Sequence, residues 1–154
     1  MKVAIDISPL ETGHKVRAVG FYLEYLKRAL FTYFPEHLYH FFTNKKEIPN
    51  DVDLVHYPYF DPFFGTLPLI KKHKTVVTVH DLTPLVFPGH FSAGIKGSLR
   101  WQFQRLVLKQ VDAIITDSLA SQKDIVQLVG IKKQKVSVVY LAGADEFKKM
   151  KKGS

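Results

Sequence analysis

The chain has 154 residues, 46% of them apolar, and a formal charge of +8 at pH 7. This length allows about one domain with a sizeable core, and the composition excludes a disordered chain. Because cysteine is absent, disulfides, thiolate metal sites and a cysteine nucleophile are excluded. The N-terminus does not read as a secretory signal, and no apolar run approaches the roughly 20 residues of a membrane span. We therefore expect a cytoplasmic protein.

Much of the positive charge lies at the C-terminal end. Lys148, Lys149, Lys151 and Lys152 carry four of the charges, and without residues 148–154 the net charge is +4. That ordinary value gives no reason to expect nucleic acid as a partner. The final Gly153-Ser154 resembles a cloning remnant, so we expect the natural chain to be cut here. We predict one domain over residues 1–147 and a basic tail over residues 148–154.

The N-terminal part of the chain predicts three strands and one helix. Met1–Ile7 has the pattern of a first strand, and a glycine-containing loop follows it. Apolar residues then recur at the spacing of one helix face until Pro35 ends the helix. These residues are Val19, Leu23, Leu26, Leu30 and Phe34. Two short strands follow, Tyr39–Thr43 and Asp53–His56, with a polar loop over Asn44–Asp51 between them.

The middle of the chain contains its clearest strand. Thr75–Val79 is a run of β-branched residues, typical of a strand buried on both faces in a parallel sheet. We expect a short helix near Leu67–Lys71 before this strand. After it, Pro84 and Pro88 predict irregular structure over Leu82–Phe91.

A long helix with two different sides comes next, and Ser92 can cap it. One side carries Ile95, Leu99, Phe103, Leu106 and Gln110, and the opposite side carries Lys96, Arg100, Arg105 and Lys109. The basic side either lies on an anionic membrane or faces solvent.

The C-terminal part predicts a strand, a helix and a strand. Asp112–Thr116 is the strand, and Ser118 or Ser121 begins a helix that Gly130 ends. Lys135–Tyr140 is the last strand. The alternation of strands and helices predicts an α/β fold, namely a Rossmann-like, doubly wound, mainly parallel sheet with helices on both faces.

The loop into the first helix has residues that suit an anion. It runs over Gly13–Gly20 and includes His14, Lys15 and Arg17. A helix N-terminus offers free N–H groups and a positive dipole end, which attract phosphate. The dinucleotide fingerprint and the P-loop are both absent. The loop is therefore either a phosphate site or a solvated turn.

Polar residues follow several predicted strands, and ligands of open α/β sheets bind beyond the carboxyl ends of the strands. His80 and Asp81 end the central strand, where the histidine can orient or deprotonate a hydroxyl. The alternative is that His80 closes the strand and Asp81 caps a turn. Polar pairs that either reach the same edge or act as turn and cap residues are His56 with Tyr57 and Asp117 with Ser118. Since the histidines are never spaced i, i+4 on a helix, we expect no metal site.

An aromatic loop over Tyr57–Phe64 separates the third strand from the central one. It either binds a sugar, a lipid tail or a partner domain, or it covers the sheet as a local cluster.

In this order and spacing, the motifs resemble the N-terminal, acceptor-side domain of a family-four glycosyltransferase with the two-domain GT-B fold. The stretches that carry the resemblance are Val16–Leu23, Asp53–Pro58, Thr78–Leu82, Ile115–Ile125 and Val138–Tyr140. Members of the family transfer a sugar from a nucleotide-sugar donor to an acceptor, usually with retention and without an obligatory metal. The resemblance implies that the chain is half of a GT-B fold and lacks the donor-binding C-terminal domain.

The resemblance also implies roles for particular residues. The loop at Ala18–Gly20 would face the donor diphosphate and the acceptor, and His80 would lie beside the reacting hydroxyl. Ala18 stands where the family commonly has glycine, and its methyl group would crowd a phosphate. We expect His80 and Asp81 to be catalytic. We expect the substrate- and phosphate-binding residues to be Arg17, Ala18, Val19, Gly20, His14, Tyr57, Asp117 and Ser118.

From these features we predict an acceptor-binding domain of a retaining glycosyltransferase that is inactive alone and needs no cofactor besides the nucleotide-sugar donor. Its expected partners are the missing donor domain and a sugar or lipid-linked acceptor, with peripheral contact at the inner face of the membrane. The predicted site of self-association is an apolar patch of Phe60, Phe63, Phe64 and Phe87. The alternatives are a free-standing nucleotide- or anion-binding module and an engineered scaffold without a ligand.

Overall fold

The computed structural model describes residues 1–13, 16–91 and 93–143. The predictions made for His14, for Ser92 as a helix cap and for the basic tail lie outside these residues. No helix within the described ranges is long and apolar enough to cross a membrane.

One sheet of six parallel strands forms the centre of the described chain. The strands are β1 (Lys2–Asp6), β2 (Leu38–Phe42), β3 (Leu54–Tyr57), β4 (Lys74–Thr78), β5 (Ala113–Thr116) and β6 (Val136–Val138). Their order across the sheet is β2-β1-β3-β4-β5-β6. The β-branched run is therefore one of the two middle strands, with Val77 and Thr78 fully buried, as the sequence predicts.

Helices connect most of the strands. They are α1 (Ala18–Tyr33), α2 (Thr83–Val86), α3 (Gly94–Gln110) and α4 (Leu119–Asp124), the last continued by a π-helical turn over Ile125–Gly130. The chain moves from β1 to β2 in one direction across the sheet and from β3 to β6 in the other. Because such crossovers are right-handed, α1 lies on the opposite face from α3 and α4. The fold is the doubly wound, Rossmann-like α/β domain that the strand–helix alternation predicts.

Several local predictions are wrong, for physical reasons. Residues 67–71 are not helical, because the Leu67 amide and the Thr66 hydroxyl both donate to Gln104 Oε1 of α3, at 3.3 and 3.2 Å. The segment predicted to be irregular contains α2, where Pro84 occupies the first turn and so needs no N–H.

The structure distinguishes the two alternatives predicted for the start of α4. Ser118 is the N-cap, and its Oγ accepts from the Ser121 amide at 3.1 Å. The predicted loop after β2 contains a short 3-10 helix, Lys45–Glu47, closed by a capping box between Asn44 and Glu47.

The orientation of α3 is the largest departure from the sequence pattern. The residues that it buries are Gly97, Gln104, Val107 and Leu108, and the last two belong to the hydrophobic core. The apolar side with Ile95, Leu99, Phe103 and Leu106 is exposed to solvent. Val107 and Leu108 form a second apolar side, which the predicted division into one apolar and one basic side misses. Periodicity alone therefore does not show which apolar side packs on the sheet.

Candidate functional site

The carboxyl ends of the strands meet at one edge, and the order of the strands marks a crevice along it. β1 lies between β2 and β3. The connection from β1 to β2 runs to one side of β1, and the connections from β3 to β6 run away from its other side. Open α/β sheets bind ligands at such a switch point. The predicted residues that follow β3, β4 and β5 therefore share one edge.

A histidine and a carboxylate pair at this edge. Asp117 Oδ2 lies 2.7 Å from His80 Nδ1, and both side chains are 20% exposed. The other ring nitrogen, Nε2, lies 3.2 Å from the carbonyl oxygen of Pro58. Carboxylate and carbonyl oxygens only accept hydrogen bonds, so the imidazolium form of His80 donates to both. The loops after three adjacent strands thus fix the orientation of this ring.

A second layer of polar groups lies behind His80. The Tyr22 ring of α1 packs edge-on against the His80 ring, with centroids 4.8 Å apart. The Tyr22 hydroxyl is 3.2 Å from Thr78 Oγ1, which is also 2.9 Å from His56 Nε2. The sequence suggested His56 but not Tyr22 or Thr78. Its only pointer to Tyr22 is that this residue belongs to the motif at the start of the first helix.

His56 is neutral at ordinary pH. Burial, and then the positive charge of nearby His80, lower the pKa of His56 to about 4. A neutral ring has one N–H and one acceptor nitrogen, and a hydroxyl can pair with either, so the neutral form suits the contact of Nε2 with the Thr78 hydroxyl. His56 therefore has a structural role: it contacts Thr78, whose hydroxyl also contacts Tyr22, the residue that packs against His80.

A cleft of about 790 Å³ opens along the same edge of the sheet, at the ends of β1 and β2. Its charged and hydroxyl-bearing walls include Asp6, Ser8, Arg17, Lys45, Tyr59 and Asp61. Burial raises the pKa of Asp6 and lowers the pKa of Lys45. Burial and the adjacent Asp61 raise the pKa of Tyr59 to about 12. The cleft is thus lined by both acidic and basic groups, and Arg17 is the predicted site residue among its walls.

The start of α1 presents backbone N–H groups next to Arg17. The helix has no side-chain cap, and Arg17 stands at its N-cap position. Gly20 is buried and its amide donates to the Arg17 carbonyl at 2.9 Å, so this amide is already used within the helix. Ala18 is exposed, and no non-glycine residue of the described chain has a positive φ. The alanine methyl group therefore creates no backbone strain.

Other predicted residues have structural contacts. Asp81 Oδ1 accepts from the Thr83 amide at 2.8 Å, which caps the turn into α2. Ser118 caps α4. Tyr57 is buried, with its ring edge-on to Phe42, and burial raises the pKa of Tyr57 to about 12. Phe60, expected in an exposed apolar patch, is buried in the core because the loop after β3 folds it against the sheet.

Among the described residues, metal ligands do not gather at this edge. No three His, Cys, Asp or Glu side chains within the described ranges come together as a metal ion would require.

The fold and this edge define a Rossmann-like domain whose crevice pairs a histidine with a carboxylate. The model of Glycosyltransferase Family 4 matches residues 6–142 of the chain. The chain belongs to that glycosyltransferase family. A comparison with curated proteins found no significant match.

Proposed function

We propose that this chain is the acceptor-binding N-terminal domain of a retaining glycosyltransferase that uses a nucleotide-sugar donor. Membership of Glycosyltransferase Family 4 supports a glycosyltransferase module, and the match extends over nearly all the described residues. The absence of cysteine supports a cytoplasmic location.

The observation that carries the proposal is the pairing of His80 with Asp117 at the switch-point edge. Asp117 holds Nδ1 firmly at 2.7 Å, whereas the contact of Nε2 with the Pro58 carbonyl is longer, 3.2 Å. An acceptor hydroxyl can replace the Pro58 carbonyl as the partner of Nε2. His80 would then orient that hydroxyl for attack, and Asp117 would keep the ring in place.

The donor would approach from the side of α1. Arg17 and the uncapped first turn of the helix, at Ala18 and Val19, provide a cation and backbone N–H groups for a diphosphate. Asp81 remains our candidate for a second catalytic group, because it is exposed directly beside His80.

The proposal includes inactivity of the domain alone. Sugar transfer requires the donor and the acceptor to be held together in a closed cleft. His80, Asp117 and Arg17 would line one side of such a cleft. The donor domain would supply the other side.

A second candidate is a free-standing anion-binding module, which the mixed-charge cleft and the uncapped α1 favour. Titration with UDP and with GDP, followed by amide chemical shifts, separates the two candidates. An acceptor-side domain binds these nucleotides at millimolar affinity or more weakly. Micromolar binding that maps to Arg17 and Gly20, and is lost in Arg17→Ala but retained in Lys132→Ala, would establish the module instead.

A further inference from the structure

The outward face of α3 is an uncovered apolar stripe, formed by Ile95, Leu99, Phe103 and Leu106. Ile95 is 83% exposed, and Leu99, Phe103 and Leu106 are 58%, 60% and 58% exposed. The opposite face already packs on the sheet through Val107 and Leu108. A helix that is apolar on opposite faces is typically covered on both. We therefore expect the outward stripe to be covered by an apolar neighbour.

The charges of α3 identify the kind of neighbour. The helix has no Asp or Glu over Gly94–Gln110, and it carries four cations. Lys96 and Arg100 are exposed along one border of the stripe. A second copy of this face would bring cations against cations, which is unfavourable. An anionic surface with an apolar interior matches both the stripe and its border.

An apolar cleft continues the stripe at its N-terminal end. It has a volume of about 670 Å³, and Ile95 and Leu99 form part of its wall. Phe91, Leu85 and Pro88 form other parts, from the segment that includes α2. The apolar surface is therefore a stripe along the helix with a recess at one end, large enough for the end of an acyl chain.

We propose that the outer face of α3 docks on an anionic lipid bilayer. The helix lies in the plane of the interface, the apolar stripe enters the boundary of the acyl chains, and Lys96 and Arg100 contact lipid phosphates. Because α3 follows β4 and leads to β5, its first turn lies at the carboxyl edge of the parallel sheet. Docking through this face therefore holds the start of α3, at the carboxyl edge of the sheet, on the membrane surface.

Vesicle binding tests this proposal with the chain of 154 residues. The vesicles are phosphatidylcholine, with or without phosphatidylglycerol, and binding is measured by cosedimentation. The fluorescence of Trp101, the single tryptophan of the chain and a wall of the apolar cleft, reports on burial of α3. We expect binding only to the vesicles with phosphatidylglycerol, with a blue shift of Trp101 emission. Equal binding to neutral vesicles, or no binding to either, would overturn the proposal.

Two pairs of substitutions localise the contact. Leu99→Gln with Phe103→Gln should abolish the blue shift and binding. Lys96→Gln with Arg100→Gln should weaken binding about 25-fold, or about fivefold for each cation. Matched controls lie elsewhere: Tyr33→Gln on α1, where Tyr33 is 72% exposed, and Lys132→Gln with Lys133→Gln. These controls should bind like the parent chain, and far-UV circular dichroism checks that every variant folds.

Two results would contradict an α3 contact. One is vesicle binding that neither pair of substitutions on α3 changes. The other is concentration-dependent dimerisation, measured by sedimentation velocity, that Leu99→Gln with Phe103→Gln removes, because a second copy would then cover the stripe.

Discussion

Thr78 joins two side chains behind the histidine of the site through one hydroxyl group. Its Oγ1 is the partner of buried His56 and of the Tyr22 hydroxyl. Thr78→Val leaves a buried ring nitrogen unpaired, which costs about 1–3 kcal/mol of unfolding free energy. Tyr22→Phe keeps the His56 contact and should cost about 1 kcal/mol or less. Urea unfolding of both variants measures the difference, and equal losses would contradict the central position of Thr78.

His56 makes folding sensitive to mild acid. Its pKa of about 4 in the folded chain lies below the ordinary value of 6.5, so the unfolded chain binds the extra proton between these values. Stability is therefore lost as the pH falls from about 7 to 4, by about 3 kcal/mol from this residue.

The His56→Gln variant provides the comparison for this prediction. It lacks the titrating group, while the remaining acidic and basic groups stay the same. The difference in unfolding free energy between parent and variant should narrow by about 3 kcal/mol over that pH range. Parallel pH profiles would show that His56 is not the group responsible.

At the scale of residues, the sequence could locate the edge but not its contacts. His80 and Asp117 are predictable because each follows a buried strand of a parallel sheet. Their direct pairing, and the packing of Tyr22 against His80, depend on contacts between residues far apart in the chain. Local sequence patterns alone do not predict such long-range contacts.

Gly130 ends the π-helical turn after α4 with a φ of +75°. This conformation is unfavourable for residues that have a Cβ atom. A Cβ there would meet the Arg105 and Lys109 side chains at no less than 3.5 Å, so space is not the problem. Gly130→Ala should therefore lower the unfolding free energy by about 1–2 kcal/mol.

Gly13→Ala is the matched control for this prediction. Gly13 is exposed, has no positive φ and would place its Cβ in open space. We expect its thermal midpoint to match the parent or exceed it slightly. A loss as large as that of Gly130→Ala would mean that backbone conformation is not the cause.

At the scale of elements, the predictions that rest on local sequence patterns are correct, and those that depend on contacts between distant residues are not. The strands and α1 are predictable because β-branched runs and a single apolar face are local signals. The face of α3 is not, because either side could pack on the sheet. Residues 67–71 are not helical, and the Leu67 amide at their start donates to Gln104 of α3 instead. The local sequence gives no sign of a contact with such a distant side chain.

At the scale of the whole molecule, right-handed crossovers convert the strand–helix alternation into a doubly wound sheet. The strand order β2-β1-β3-β4-β5-β6 places the crevice beside β1, and the loops of β3, β4 and β5 bring His80 and Asp117 to the same edge. The family match over residues 6–142 agrees with a fold of this kind. The proposal of an acceptor-side domain depends on this edge forming half of a larger cleft.

Sugar transfer by the chain, alone and after fusion of residues 1–142 to the donor-binding domain of another family-four enzyme, tests that proposal most directly. We predict no transfer from a panel of nucleotide sugars by the chain alone and measurable transfer by the fusion. In the fusion, His80→Ala and Asp117→Asn should lower kcat by about 100-fold or more, while Lys132→Ala should not. Robust transfer by the chain alone, or an active fusion that His80→Ala leaves unimpaired, would contradict the account.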